Sequence, residues 1–271
     1  MTTNRPSVRL LGAIFRLCLA AFSTVGAWVA QAQDKTLPIG ATQWPPFEFS
    51  DPRGKAVGTD TEIIEQVLKR LGYTPQMILQ PWNRVETTAA RGDFAAIYSV
   101  IRTPEREQLF FYSDAINSSA SVFFKRKADS VSWKSFDDLK NQRIAIAGGY
   151  AYPIVFGNAV KRKTFASVKE TFDANADLSN LRALKAGLVD LVLCEVNVCS
   201  YLIKQYRNEL DALHAIPTVV GDAMDLHVAF PKAWPGSEQL VRQFNAELAK
   251  FIADGSRAKI FKAYGIGTTG K

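Results

Sequence analysis

From Leu37 onward, short apolar runs alternate with amphipathic stretches, and the series occurs twice along the chain. Alternation of this kind marks strands layered against helices, an α/β fold. In the first half, Leu37 to Thr42 reads as a strand, which Trp44-Pro45-Pro46-Phe47 breaks into a loop. Thr59 and Glu62 make a capping box ahead of Ile63, Ile64, Val67, Leu68 and Leu71, which recur at helical spacing until Gly72. Thr74 to Gln80 reads as a second strand, Asn83 to Arg91 as a second helix and Ala95 to Val100 as a third strand. In the second half Ser135 and Asp138 cap a short helix, Arg143 to Ala147 is a strand, and Gly148-Gly149 opens a helix near Tyr152-Pro153. Ser167 to Phe172 and Val189 to Leu193 are strands on either side of a helix from Leu178 to Ala186. Leu226 to Phe230 is a last strand, followed by helices over Gly236 to Ala253 and Ser256 to Tyr264. Two successive units of similar size predict two lobes, and 271 residues suffice for a core in each.

The segment before this pattern is of another kind. Arg5 and Arg9 precede a largely apolar run from Leu10 to Ala30, interrupted by Arg16 and ending in Ala30-Gln31-Ala32. A basic start, an apolar middle and a small-x-small end predict a secretory leader removed after about Ala32, and Arg16 within the run argues against a membrane anchor. The formal charge is +7, and loss of Arg5, Arg9 and Arg16 with no acid beside them leaves +4. Lys125-Arg126-Lys127 and Lys161-Arg162-Lys163 lack aromatic base-stacking company, so nucleic acid is not an expected partner.

Cys18 leaves with the leader, so Cys194 and Cys199 remain. An oxidising compartment permits a bond between them, and their spacing does not decide it. With only His214 and His227 in the chain, a zinc site or a Cys/His nucleophile has little support, and no cofactor is expected.

The order and spacing of several short motifs resemble those of the family 3 solute-binding proteins of ABC uptake systems, the amino-acid-binding type. These motifs are Trp44-Pro45-Pro46-Phe47 with Gly54, Gly58 to Ile63, Trp82, Ser99 to Arg106, Phe111 to Asp114, Asp137 to Lys140, Gly148-Gly149, and Leu184 to Asp190 leading into Glu195. The resemblance covers nearly all of the chain beyond the leader. It implies a type II periplasmic-binding-protein flytrap, with one lobe from 33–119 and 225–271 and the other from 120–224. Two crossings, near Ser118–Val122 and Val220–Leu226, would form the hinge. It further implies a periplasmic monomer that captures an amino acid or related carboxylate and delivers it to an inner-membrane ABC permease.

An amino acid presents a carboxylate, an ammonium and a side chain, and each needs a fixed partner once water is excluded. Arg106, at the end of Thr103-Pro104-Glu105-Arg106, stands where the family places its carboxylate-gripping arginine, and a guanidinium can hold both oxygens in one plane. The helix after Gly148-Gly149 would add backbone N–H donors from the second lobe. Tyr150 departs from the threonine or serine common there. Glu195 takes the position of an ammonium-binding acid. Trp44 and Trp82 match aromatic residues that sandwich the ligand side chain, and Ser99 and Thr103 are candidate hydroxyl donors. Arg84 and Arg102, if turned inward, would suit an extra acid group on the ligand. The stretch Ala41-Thr42-Gln43 lacks the Asp found in binders of basic amino acids, which counts against lysine, arginine or ornithine. The two tryptophans and Tyr150 favour a bulky or aromatic ligand.

Two other classes stay open. One is a periplasmic enzyme on the same fold, dehydratase-like, with Glu195 as general acid or base; no second catalytic acid or histidine is evident in the expected cleft. The other is an accessory or sensory protein that presents the ligand to a receptor.

Overall fold

The fold is known from a computed structural model, which describes residues 35–266 and the first two residues of the chain. The leader expected over 1–32 therefore lies, but for those two residues, outside the described region. No described helix is long and apolar enough to cross a membrane.

Two sheets organise the molecule. The first has the strand order Thr74–Leu79, Thr36–Ala41, Ala96–Ile101, Met224–Pro231, Phe110–Tyr112, and Asn117–Ser119 also pairs with Met224–Pro231. Its first three strands run parallel, and Met224–Pro231 is antiparallel to its neighbours. The second sheet has the order Ser167–Thr171, Arg143–Ala147, Leu191–Glu195, Ser121–Arg126, Leu213–Val219. The chain changes sheet at Ala120, between adjacent strands of different sheets, and again between Val219 and Met224.

Each sheet is covered by helices whose apolar stripes face it. Thr59–Arg70 buries Ile63, Ile64, Val67 and Leu68, and Ser237–Ala253 buries Leu240, Val241, Phe244, Leu248 and Phe251. Full burial of such a side chain is worth about 1.5–3 kcal/mol, so these two helices hold the first lobe together. The second lobe has its own aromatic centre, where Phe123, Phe136, Phe156 and Phe165 meet with ring centroids 5.6–6.3 Å apart.

Local chemistry departs from expectation at one helix start and follows it at another. The helix at Thr59 is capped by Gly58 with no side-chain bond. The Thr59 hydroxyl donates to Asp60 Oδ1 instead, and Glu62 accepts from the Tyr264 hydroxyl, so the anticipated capping box does not form. Gly58 itself has φ +123°, and an added Cβ would lie 2.3 Å from the Phe47 carbonyl oxygen. That close approach ties the loop Trp44–Phe47 to the helix start. In the second half the helix begins at Ile154 with Pro153 as its cap, five residues beyond Gly149.

Candidate functional site

A cavity of about 540 Å³, counting its mouth, opens between the two lobes. Six of the seven residues expected at the ligand line it: Trp44, Trp82, Ser99, Arg106, Tyr150 and Glu195. Thr103 is not among its lining residues. It caps the short helix Pro104–Glu107, its hydroxyl accepting the Arg106 N–H at 3.3 Å, and so positions the arginine from behind.

Arg106 is almost fully buried. Its Nε donates to Glu86 at 2.7 Å, Nη1 to the Ile101 carbonyl and Nη2 to the Gly149 carbonyl, both at 3.1 Å. The guanidinium also lies over the Trp82 ring at 5.1 Å. A guanidinium has five N–H groups, so one on each Nη is left over among the described partners. Gly149 enters the site with its carbonyl, which also accepts from Trp82 Nε1 at 3.1 Å. Of the expected donors from the helix after Gly148-Gly149, the contact observed at Gly149 is instead its carbonyl as an acceptor, with the helix itself starting at Ile154.

The two tryptophans do flank an aromatic ring, but it is the chain's own. Tyr150, from the second lobe, meets Trp44 edge-on at 6.1 Å and Trp82 edge-on at 6.3 Å. Burial pushes its phenol well above the ordinary range, with Thr42 of the first lobe acting in the opposite direction. With Arg106 and Trp82 on Gly149, these contacts join the lobes directly.

Carboxyl groups dominate the rest of the wall. Glu48, Asp177 and Glu195 all line the cavity and all are buried. Glu195 ends the strand Leu191–Glu195 and caps the helix Val196–Gln205, accepting from Val198 N–H at 2.8 Å and Asn197 Nδ2 at 3.0 Å. Burial nonetheless pushes its pKa up to about 7. Burial likewise lifts Asp177 to about 7, with Trp44 acting in the opposite direction. Glu48 is raised well above the ordinary carboxyl range, chiefly by burial.

Glu48 and Asp177 were not anticipated, and both bear on earlier expectations. The turn at Trp44–Phe47 folds Glu48 back onto the Thr42 N–H, which brings an acid beside the stretch Ala41-Thr42-Gln43. The absence of a second acid in the cleft, held against catalysis, is likewise overturned by Glu48 and Asp177. The available signal was an acid embedded in apolar company, Pro46-Phe47-Glu48-Phe49. Arg84 and Arg102 do not turn inward: both are exposed, and Arg102 pairs with Glu107. Cys194 and Cys199 are joined in a disulfide, with Cα atoms 6.2 Å apart. Asp177 lies within 4.8 Å of both sulfurs, but the bond occupies them as metal ligands.

Two lobes joined by two crossings around a polar, aromatic-walled cavity define a bilobal solute-binding class of protein. The chain belongs to the bacterial extracellular solute-binding proteins, family 3, whose model matches residues 37–267. Among curated relatives it is similar to an arginine-binding periplasmic protein of Mannheimia haemolytica, 24% identical over 237 residues, covering 86% of this chain and 91% of the relative. Among solved structures its fold is similar to an ancestral arginine-binding protein bound to arginine, with TM-score 0.74, 23% identity and coverage of 85% of this chain and 98% of that one. It is also similar in fold to the ancestral amino acid-binding protein AncCDT-1, a precursor of cyclohexadienyl dehydratase, with TM-score 0.69, 20% identity and coverage of 85% and 95%. The fold thus serves both binding proteins and the lineage of an enzyme.

Proposed function

We propose that this chain, exported and cleaved after about Ala32, captures an amino acid or related small carboxylate and delivers it to an inner-membrane ABC permease. It acts as a monomer, without cofactor or chemistry of its own. The lobes comprise 33–119 with 225–271, and 120–224, and the sheet changes at Ala120 and between Val219 and Met224 support a hinge there. A ligand touching both lobes favours the closed arrangement through its differential affinity.

One observation carries this reading. Arg106 of the first lobe and Glu195 of the second line the same cavity, and the arginine retains an N–H on each Nη. That pair suits a zwitterion, carboxylate to the guanidinium and ammonium to Glu195. Trp44, Trp82, Ser99 and Tyr150 supply the walls, and Thr103 holds Arg106 in place. The ligand of the Mannheimia relative favours an amino acid here.

A thermal-unfolding screen against amino acids tests it. A ligand at a hundred times its dissociation constant adds about 2.7 kcal/mol, a shift of about 5–10 °C for a chain of this size. The shift should vanish in Arg106→Ala. No response to any amino acid would sink the assignment.

A second reading has an observation of its own. Asp177 and Glu195, each with a pKa lifted to about 7, share one cavity and would suit general acid–base work at neutral pH. The likeness to AncCDT-1 favours testing it. Turnover of a small carboxylic acid on incubation would establish an enzyme; recovery of unaltered ligand leaves the binding protein.

A further inference from the structure

One wall of the cavity carries a bond that neither reading above uses. Cys194 lines the cavity, while Cys199, its disulfide partner, is not among the lining residues. Both are buried, at 1% and 0% exposed, so a small molecule reaches this bond from the cavity and meets Cys194 first. Cys194 belongs to the strand Leu191–Glu195, where it pairs with Val122, and Cys199 to the helix Val196–Gln205 that follows.

A second group of the cavity is placed to serve that bond. A carboxyl oxygen of Asp177 lies within 4.8 Å of both sulfurs, and Asp177 lines the cavity from the helix Ala176–Lys185. Disulfide exchange needs a thiolate with access to one sulfur, and its rate depends on how readily the other sulfur departs. A thiolate released into a buried site is costly, so a proton donor beside it eases the departure. The groups acting on Asp177 are Asp173, ahead of its helix, and Trp44 of the opposite lobe, while Asp177 itself acts on Tyr150 and Tyr152. Glu195 shares the cavity as a further acid. None of these groups is cationic, and burial keeps a proton on Asp177 up to about pH 7.

We propose that the Cys194–Cys199 disulfide is a thiol-exchange site on the cavity wall, where a low-molecular-weight thiol forms a mixed disulfide with Cys194. The thiol first loses its proton to solvent. Its sulfur then attacks Cys194 Sγ from the cavity; the new S–S bond forms as the Cys194–Cys199 bond breaks, and the electron pair leaves on Cys199 Sγ. Asp177 gives that sulfur a proton and regains one from solvent. One thiol is consumed and one is made, with no net oxidation. Attack by Cys199 on the mixed disulfide runs the step backwards, so the modification is reversible. The added group stands in the cavity next to Glu195, whose setting the closed loop from Cys194 to Cys199 helps to fix.

The test treats the mature protein with 2-mercaptoethanol between about pH 6 and 9, without denaturant, followed by acid quenching and peptide mass mapping. The first adduct should appear on Cys194, with Cys199 recovered as a free thiol. Divided by the concentration of mercaptoethanol thiolate, the exchange rate should fall at least about tenfold from the lowest pH to the highest, as Asp177 loses its proton. In Asp177→Asn the same normalised rate should start at least about tenfold lower and stay nearly level across the range. The position of the adduct and the wild-type pH profile stand whether or not that variant folds. A first adduct on Cys199 would overturn attack from the cavity. A normalised wild-type rate that does not change with pH would overturn the part given to Asp177. Exchange that occurs only in denaturant would overturn the proposal as a whole and leave the bond a sealed staple.

Discussion

Tyr150 occupies the volume that two flanking tryptophans would otherwise offer to a ligand. Its ring, carried by the second lobe, meets both first-lobe indoles edge-on, so it serves as wall and inter-lobe contact together. Truncation to Tyr150→Ser should cost about 2–3 kcal/mol of packing, read by urea unfolding. The emptied slot should then bind L-tryptophan or L-phenylalanine more tightly than the parent protein does, with a change in Trp44 and Trp82 fluorescence as the readout. A variant equally stable and equally selective would show that the ring is not the occupant. The expectation of a bulky or aromatic ligand counted Tyr150 together with the tryptophans as ligand contacts. In the structure the three rings pack on one another, and a sequence lists aromatic residues without saying which of them do so. Thr103 teaches the same lesson: a Thr ahead of Pro-Glu-Arg is a cap by local rules, and only its distance from the cavity separates capping from binding.

At the scale of elements, the end of the strand Leu191–Glu195 and the first turn of the helix Val196–Gln205 act as one unit. The disulfide joins Cys194 on the strand to Cys199 on the helix, and Glu195 sits between them as the cap. So short a closed loop implies a contribution of about 2 kcal/mol in the chain-entropy view. The double variant Cys194→Ser, Cys199→Ser should lose about that much in urea unfolding, and ligand affinity should weaken as Glu195 loses its fixed setting. Unchanged stability would mean that the strand end and helix start are held by packing alone. Most long elements were legible within a residue or two, because their apolar spacing is dictated by the faces they bury. Asn117–Ser119, Ser121–Arg126 and Leu213–Val219 are among the strands that were not. They adjoin the two passages between sheets, where short serine-rich or irregular runs pair only because distant strands are present to receive them.

For the whole molecule, buried acids predict an unusual dependence of stability on pH. Glu195 and Asp177, lifted to about 7, and Asp60, lifted to about 6, bind protons more tightly folded than unfolded. Their stabilising contribution is complete below about pH 4 and drains away as pH rises toward 7. Asp190 and Asp254, each held near 2, run the other way and withdraw stability only as pH falls from about 4 toward 2. Without ligand, the unfolding temperature should therefore be highest near pH 4–5 and lower by about 5 °C at pH 8. A flat profile across that range would mean that water reaches these carboxyls. The α/β layering, the two-unit plan, the arginine at the cleft and the acid opposite it were determined by the sequence itself, since local spacing and short motifs carry them. What only the tertiary structure decided is the charge and the shape of the cavity. Glu48, Ser99 and Asp60 are as far as 51 residues apart in the chain, and Tyr150 belongs to the other lobe from Trp44 and Trp82. A hydroxyl bridge between two acids and a filled slot arise between side chains that meet only when the sheets assemble and the lobes close, and no local pattern records such meetings.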